Sequence, residues 1–119
     1  MFKASVFKGD ISEWNVSNVK SMNGMFYNAR FNNDISMWDV SNVTSMHSMF
    51  AYSDFNNDIS KWNVSNVNDM AFMFYNSNFR QDISNWDVSN VKYYSNIFFG
   101  SLLLMSTRKE YMPDKFKNI

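Results

Sequence analysis

The 119-residue chain has no cysteine, one proline, three glycines and one histidine. Without cysteine there is no disulfide staple, and a single domain of this length buries an adequate core without one. The absence fits a reducing compartment, and equally surface proteins that dispense with disulfides. Leucine occurs only as Leu102, Leu103 and Leu104. Net charge is zero, with 11 basic and 11 acidic residues mixed along the chain. No basic stripe collects phosphates, so nucleic acid is not an expected partner. No apolar run approaches the roughly 18 residues of a membrane span, so membrane insertion is not expected. The opening MFKASVFKGD has neither the apolar stretch nor the cleavage site of a signal peptide. No acid, base, nucleophile or metal constellation converges, so neither an enzyme nor a cofactor is expected.

What is present is a repeat. Trp14, Trp38, Trp62 and Trp86 are spaced by 24 residues, inside DISEWNVSNV, DISMWDVSNV, DISKWNVSNV and DISNWDVSNV. Phe7, Phe31, Phe55 and Phe79 keep the same phase, as do Met22, Met25 and Phe26 with Met46, Met49 and Phe50 and with Met70, Met73 and Phe74. In the fourth copy Tyr94, Ile97 and Phe98 take these places. Self-similarity at this period marks a stacked array, in which each unit buries its apolar side only against its neighbours.

Two periodicities follow one another within a unit. Trp38 and Val40 alternate with Met37 and Asp39, which predicts a short strand with one buried face. Val43, Met46, Met49 and Phe50 fall on one side of a short helix. Ser41 and Asn42 lie between them as a turn or helix cap. The expected fold class is therefore α/β, with four 24-residue coils that each carry one short parallel strand and one short helix. Phe31, Ile35, Trp38, Val40, Val43, Met46, Met49 and Phe50 are the expected core of one coil. The methionines read as core filler beside phenylalanine, not as metal ligands.

The stretch from Phe31-Asn32-Asn33-Asp34-Ile35-Ser36 through Met49-Phe50 resembles the leucine-rich repeats of BspA-type bacterial surface proteins and related surface lipoprotein repeats, whose pattern is FN-x-DIS-x-WDVSNVT-x-M-x-x-MF-x-x-A. The likeness covers about residues 1–100. It implies a leucine-rich-repeat-like solenoid displayed at a cell surface or secreted, with adhesion or partner binding as its role.

The expected organisation is a repeat solenoid over 1–101 and a C-terminal cap or tail over 102–119. The coils fall roughly at 7–30, 31–54, 55–78 and 79–101, and residues 1–6 are the end of a partial preceding coil. Phe2, Val6, Phe7 and Trp14 do not supply the polar outer face of a terminal repeat. The chain then reads as part of a longer array, or as one whose first coil is covered by a partner, end-to-end self-association included.

Several residues recur in register. Asp10, Asp34, Asp58 and Asp82 are expected to accept backbone N–H groups in Asx-turns, the alternative being calcium held between coils. Asn18, Asn42, Asn66 and Asn90 form a structural ladder, as do Trp14, Trp38, Trp62 and Trp86. His47 is expected to point outward from a helix. The sequons at Asn15, Asn42 and Asn63 are by-products of the repeat.

The positions flanking each tryptophan, Glu13 and Asn15, Met37 and Asp39, Lys61 and Asn63, Asn85 and Asp87, are expected to face outward. The first of each pair differs in every copy. They are the candidate ligand-binding face for a protein or glycan in a non-enzymatic scaffold. Drift at solvated positions is the other reading of the variation, and a structural array with no ligand is the other reading of the function.

Overall fold

Backbone N–H groups must find acceptors, and where each repeat sends them decides its conformation. The computed structural model describes residues 9–105 and 109–118. From Met46 to Ser53 the donors alternate. The N–H groups of Met46, Ser48, Phe50 and Tyr52 donate to the carbonyls of Asp69, Ala71, Met73 and Tyr75 at 2.8–3.0 Å, 23 residues ahead. Those of Met49, Ala51 and Ser53 donate back within the unit to Met46, Ser48 and Phe50. The same alternation joins Met22–Asn28 to Ser45–Ala51, and Met70–Asn76 to Tyr93–Phe99. Successive repeats thus lie on one another, joined through a run of turns.

This alternation requires left-handed backbone at two fixed places per repeat. Positive φ occurs at Gly24, Ser48, Phe72 and Asn96, and four residues later at Asn28, Tyr52, Asn76 and Gly100, with values between 51° and 74°. A right-handed helix cannot run through such residues. The helix expected over Val43–Phe50 does not form. Its 3, 3, 1 spacing is satisfied instead by consecutive turns that point Met46, Met49 and Phe50 inward.

The strand expected at Trp38–Val40 is absent too. Two tight turns flank it, closed by Trp38 N–H to the Ile35 carbonyl at 3.2 Å and Val43 N–H to the Val40 carbonyl at 3.0 Å. Among the described residues strand pairing is limited to single parallel bridges, Ser21 with Ser45, Ser45 with Asp69, and Asp69 with Tyr93. The α/β class, with a strand and a helix in every coil of a leucine-rich-repeat-like solenoid, is therefore corrected. Among the described residues there is no sheet, and the one α-helix, α1, is Leu102–Met105. The physical reason is that the backbone bonds which would have extended a strand or a helix are spent in turns and between repeats.

Side chains fill the interior in columns. All eight expected core positions of the second repeat are no more than 4% exposed. Phe26, Phe50, Phe74 and Phe98 stack nearly parallel at 5.6–5.7 Å between centroids, and Phe31, Phe55 and Phe79 at 6.0–6.1 Å. Trp62 and Trp86 lie 6.5 Å apart with planes within 4°. Offset stacking of this kind adds about 0.5–1.5 kcal/mol per pair to burial. Met22, Met25, Met46, Met49, Met70 and Met73 are buried among these rings.

The C-terminal segment packs on the fourth repeat. Leu103, Met112 and Phe116 are buried, and Phe116 lies 4.9 Å from Tyr94 and 6.0 Å from Phe98 between ring centroids. Ile83 N–H donates to the Tyr111 carbonyl at 2.9 Å, and Lys115 Nζ donates to the Val91 carbonyl at 2.6 Å. Short 3-10 turns at Lys109–Tyr111 and Asp114–Phe116 flank Pro113, whose missing N–H prevents one continuous helix. Residues 1–8 fall outside the described residues, and with them Phe2, Val6, Phe7 and the expected partial coil over 1–6.

Candidate functional site

The turn that opens each repeat is locked from two sides. The N–H of Trp14, Trp38, Trp62 and Trp86 closes it onto Ile11, Ile35, Ile59 and Ile83 at 3.1–3.2 Å. Oδ1 of Asp10, Asp34, Asp58 and Asp82 accepts the N–H of Ser12, Ser36, Ser60 and Ser84 at 2.8–2.9 Å. These serine hydrogen bonds hold the carboxyls of Asp10, Asp34 and Asp58 below the usual carboxylate value, the backbone N–H leading at Asp10 and Asp34 and the hydroxyl at Asp58. At Asp34, repulsion from Asp10 and Asp58 opposes the shift.

Glu13, Met37, Lys61 and Asn85 sit at the tips of these turns, all exposed. Met37 has 82% of its surface in water. The tips form a row of turn ends, not the outward face of a sheet, because no strand precedes them. The other four candidates are engaged locally. Oδ1 of Asn15, Asp39, Asn63 and Asp87 accepts both the N–H and the hydroxyl of Ser17, Ser41, Ser65 and Ser89, the hydroxyl bonds at 2.6–2.7 Å. These bonds, the hydroxyl ahead of the backbone, lower the carboxyl pKa of Asp39 and Asp87. Their oxygens hold the second turn of each repeat.

The ladders join repeats through side chains. Trp38, Trp62 and Trp86 donate Nε1–H to the carbonyls of Ile11, Ile35 and Ile59 at 3.0 Å, and all three are 4% exposed. Trp14 differs, at 43% exposed, and borders a cavity of about 280 Å³ with Val16, Val19, Met22 and Met25. Asn42, Asn66 and Asn90 donate Nδ2–H to the carbonyls of Ser17, Ser41 and Ser65 at 2.7–2.8 Å. Asn18 is exposed in the first described repeat. Among the described residues no buried side-chain nitrogen or oxygen lacks a partner.

His47 stands in a turn, not on a helix, with Nδ1 at 3.5 Å from Asp69 Oδ1 and its ring 5.8 Å from that of Phe72. Around it lies a cluster of aromatic rings. Tyr27, Tyr52 and Tyr75 meet edge to face at 5.5–5.6 Å, Phe72 lies 5.4 Å from Tyr75, and Phe99 stacks on Tyr75 at 5.6 Å. No sequence signal marked these rings as a group, but the turns that carry them were signalled by Gly24, Asn28, Asn76, Asn96 and Gly100, recurring in register inside the segment expected as helix. Glycine and asparagine are poor in a helix and favoured in left-handed turns. Among the described residues no three of His, Cys, Asp and Glu come together in a group able to hold a metal ion, and no helix is long and apolar enough to cross a membrane.

A family profile described as "Mycoplasma protein of unknown function, DUF285" matches residues 1–111 of the chain. No curated protein and no solved structure matches it. The BspA-type leucine-rich-repeat assignment is thereby corrected. The DISxWDVSNV unit carried it, and that unit is the repeat of a different family, folded here as turns without the strand of a leucine-rich repeat.

Proposed function

The chain belongs to the DUF285 family, and from that premise we propose that it is a non-enzymatic scaffold for protein or glycan binding, of the surface or adhesion type. The ligand is held along the turn tips Glu13, Met37, Lys61 and Asn85. The observation that carries this reading is Met37. A large apolar side chain 82% exposed at the tip of a doubly bonded turn is poised for contact at no cost in backbone ordering. Rigid turns with a different tip in every repeat suit a surface that reads its partner by side chain.

The test is a Glu13→Ala, Met37→Ala, Lys61→Ala triple variant. It is compared with the parent protein for retention of cell-surface proteins and of immobilised glycans. Loss of retention with an unchanged melting temperature supports the proposal. Unchanged retention removes the tips as the site and leaves an array with no ligand along this row.

A second reading rests on Trp14, whose exposed indole borders the apolar cavity at the edge of the first described repeat. Copies of the chain meet there end to end. Light scattering across a concentration series tests this reading, and a monomer at high concentration removes it.

A further inference from the structure

Beyond the turn tips, the geometry points to a second binding site: an aromatic hollow that takes a neutral pyranose unit of a glycan chain. It rests on the reading of the protein as a binding scaffold but uses none of Glu13, Met37, Lys61 or Asn85. The hollow has a volume of about 370 Å³ and is lined by Tyr27, His47, Ser48, Ala51, Tyr52, Phe72 and Tyr75.

Two independent departures from the repeat converge on it. At the second left-handed position the other repeats place Asn28, Asn76 and Gly100, yet the second repeat places Tyr52 at φ 58°. At the first, the others place Gly24, Ser48 and Asn96, yet the third repeat places Phe72 at φ 58°. Glycine and asparagine occupy this region readily, and a bulky aromatic residue does so against its steric preference. Strain of this kind collects at functional sites, and both strained rings line the same hollow.

The strip is also continuous where the repeat alone would break it. Tyr27, Tyr75 and Phe99 share one repeat position, and the second repeat has Ala51 there. Tyr52, one residue on, fills the gap with its ring 5.6 Å from Tyr27 and 5.5 Å from Tyr75. Every repeat therefore contributes a ring to one line along the stack, as an extended oligomer of similar units requires.

The lining selects the ligand chemistry. Aromatic walls attract the weakly positive C–H face of a sugar ring through their negative π-faces. The Ser48 and tyrosine hydroxyls and the His47 ring supply the few polar groups that orient a ligand in a mostly apolar pocket. Asp69 Oδ1 lies 3.5 Å from Nδ1 of that ring and accepts the N–H of Ala71 at 2.9 Å. Among the lining residues there is no lysine, arginine or carboxylate, so a charged ligand finds no counter-ion in the wall.

The experiment is calorimetric titration of the full chain with maltohexaose, cellohexaose and hexa-N-acetylchitohexaose. At least one is expected to bind, with weak affinity in the millimolar range or better. Tyr52→Asn and Phe72→Asn install the residue that other repeats carry at or near these turns. They should weaken that binding at least about tenfold while the melting temperature stays level or rises. Tyr52→Asn should leave retention of proteins along the turn tips as in the parent, because Tyr52 is not one of those tips, which separates this site from them. Silence with all three hexasaccharides overturns the proposal, as does undiminished binding by Tyr52→Asn. Heat from tetramethylammonium in place of the sugars overturns it in favour of a cation cage.

Discussion

The indole N–H of Trp62 donates to the backbone carbonyl of Ile35, 27 residues earlier, at 3.0 Å. One side chain thereby holds its own repeat and closes the opening turn of the one before. Trp62→Phe keeps an aromatic ring and removes the donor. The Ile35 carbonyl keeps the N–H of Trp38, so the expected loss is that of one net hydrogen bond, about 0.5–1.5 kcal/mol, read from the urea midpoint. Trp62→Ala removes the ring as well and is expected to cost about 3–5 kcal/mol. An unchanged urea midpoint for Trp62→Phe would contradict this account.

Gly100 adopts φ +74°, and a Cβ there would lie 1.8 Å from Oδ1 of Asn76 and 2.9 Å from its Cγ. Gly100→Ala therefore meets left-handed strain and a clash with the amide of the preceding repeat. Destabilisation of about 1–3 kcal/mol is expected, measured by thermal melting. A neutral effect would show that the turn re-forms with right-handed backbone.

Acid should loosen the opening turns. Asp34 and Asp58 have folded-state pKa values below the ordinary 3.8 because serine hydrogen bonds favour the charged form. A group with a depressed folded-state pKa stabilises the fold above its unfolded pKa, and that stability is lost as pH falls through the folded value. The melting temperature is thus expected to hold steady near neutrality and to drop below about pH 4. An Asp34→Asn, Asp58→Asn variant keeps an acceptor oxygen and should show a shallower drop. Parallel melting curves for parent and variant down to pH 3 would contradict this.

Phe116 is buried against Tyr94 and Phe98. Phe116→Ala is expected to cost about 3–5 kcal/mol and to uncover the apolar side of the fourth repeat. Hydrogen exchange should then quicken first at Ile97 and Ser101, whose N–H groups donate to the Tyr94 and Phe98 carbonyls. Uniform acceleration over all repeats would instead show that the stack unfolds as one cooperative unit.

The parts of the fold that depend on which side chains face inward were legible. Phe31, Ile35, Trp38 and Phe50 recur at a fixed interval, and all are buried. Conformation was not legible in the same way. Met46, Met49 and Phe50 share one side of a helix, but they share one side of a turn run equally well, and spacing alone does not separate the two. Gly24, Asn28 and Asn76 could have separated them, since they are poor helix residues recurring in register. The turn tips Glu13, Met37, Lys61 and Asn85 were visible as variable positions between constant ones. The aromatic hollow was not, because Tyr52 and Tyr75 occupy different repeat positions and meet only in three dimensions.

The amino-acid order by itself determined the 24-residue period, the identity of the buried columns and the serine–aspartate pairs that make local turns. These depend on spacing and on contacts between near neighbours, which a linear chain carries within it. Tertiary structure alone decided that the backbone runs in turns where a strand and a helix were expected. The N–H groups of Met46, Ser48, Phe50 and Tyr52 find their acceptors 23 residues away, and no single repeat contains the carbonyls that choose between those conformations.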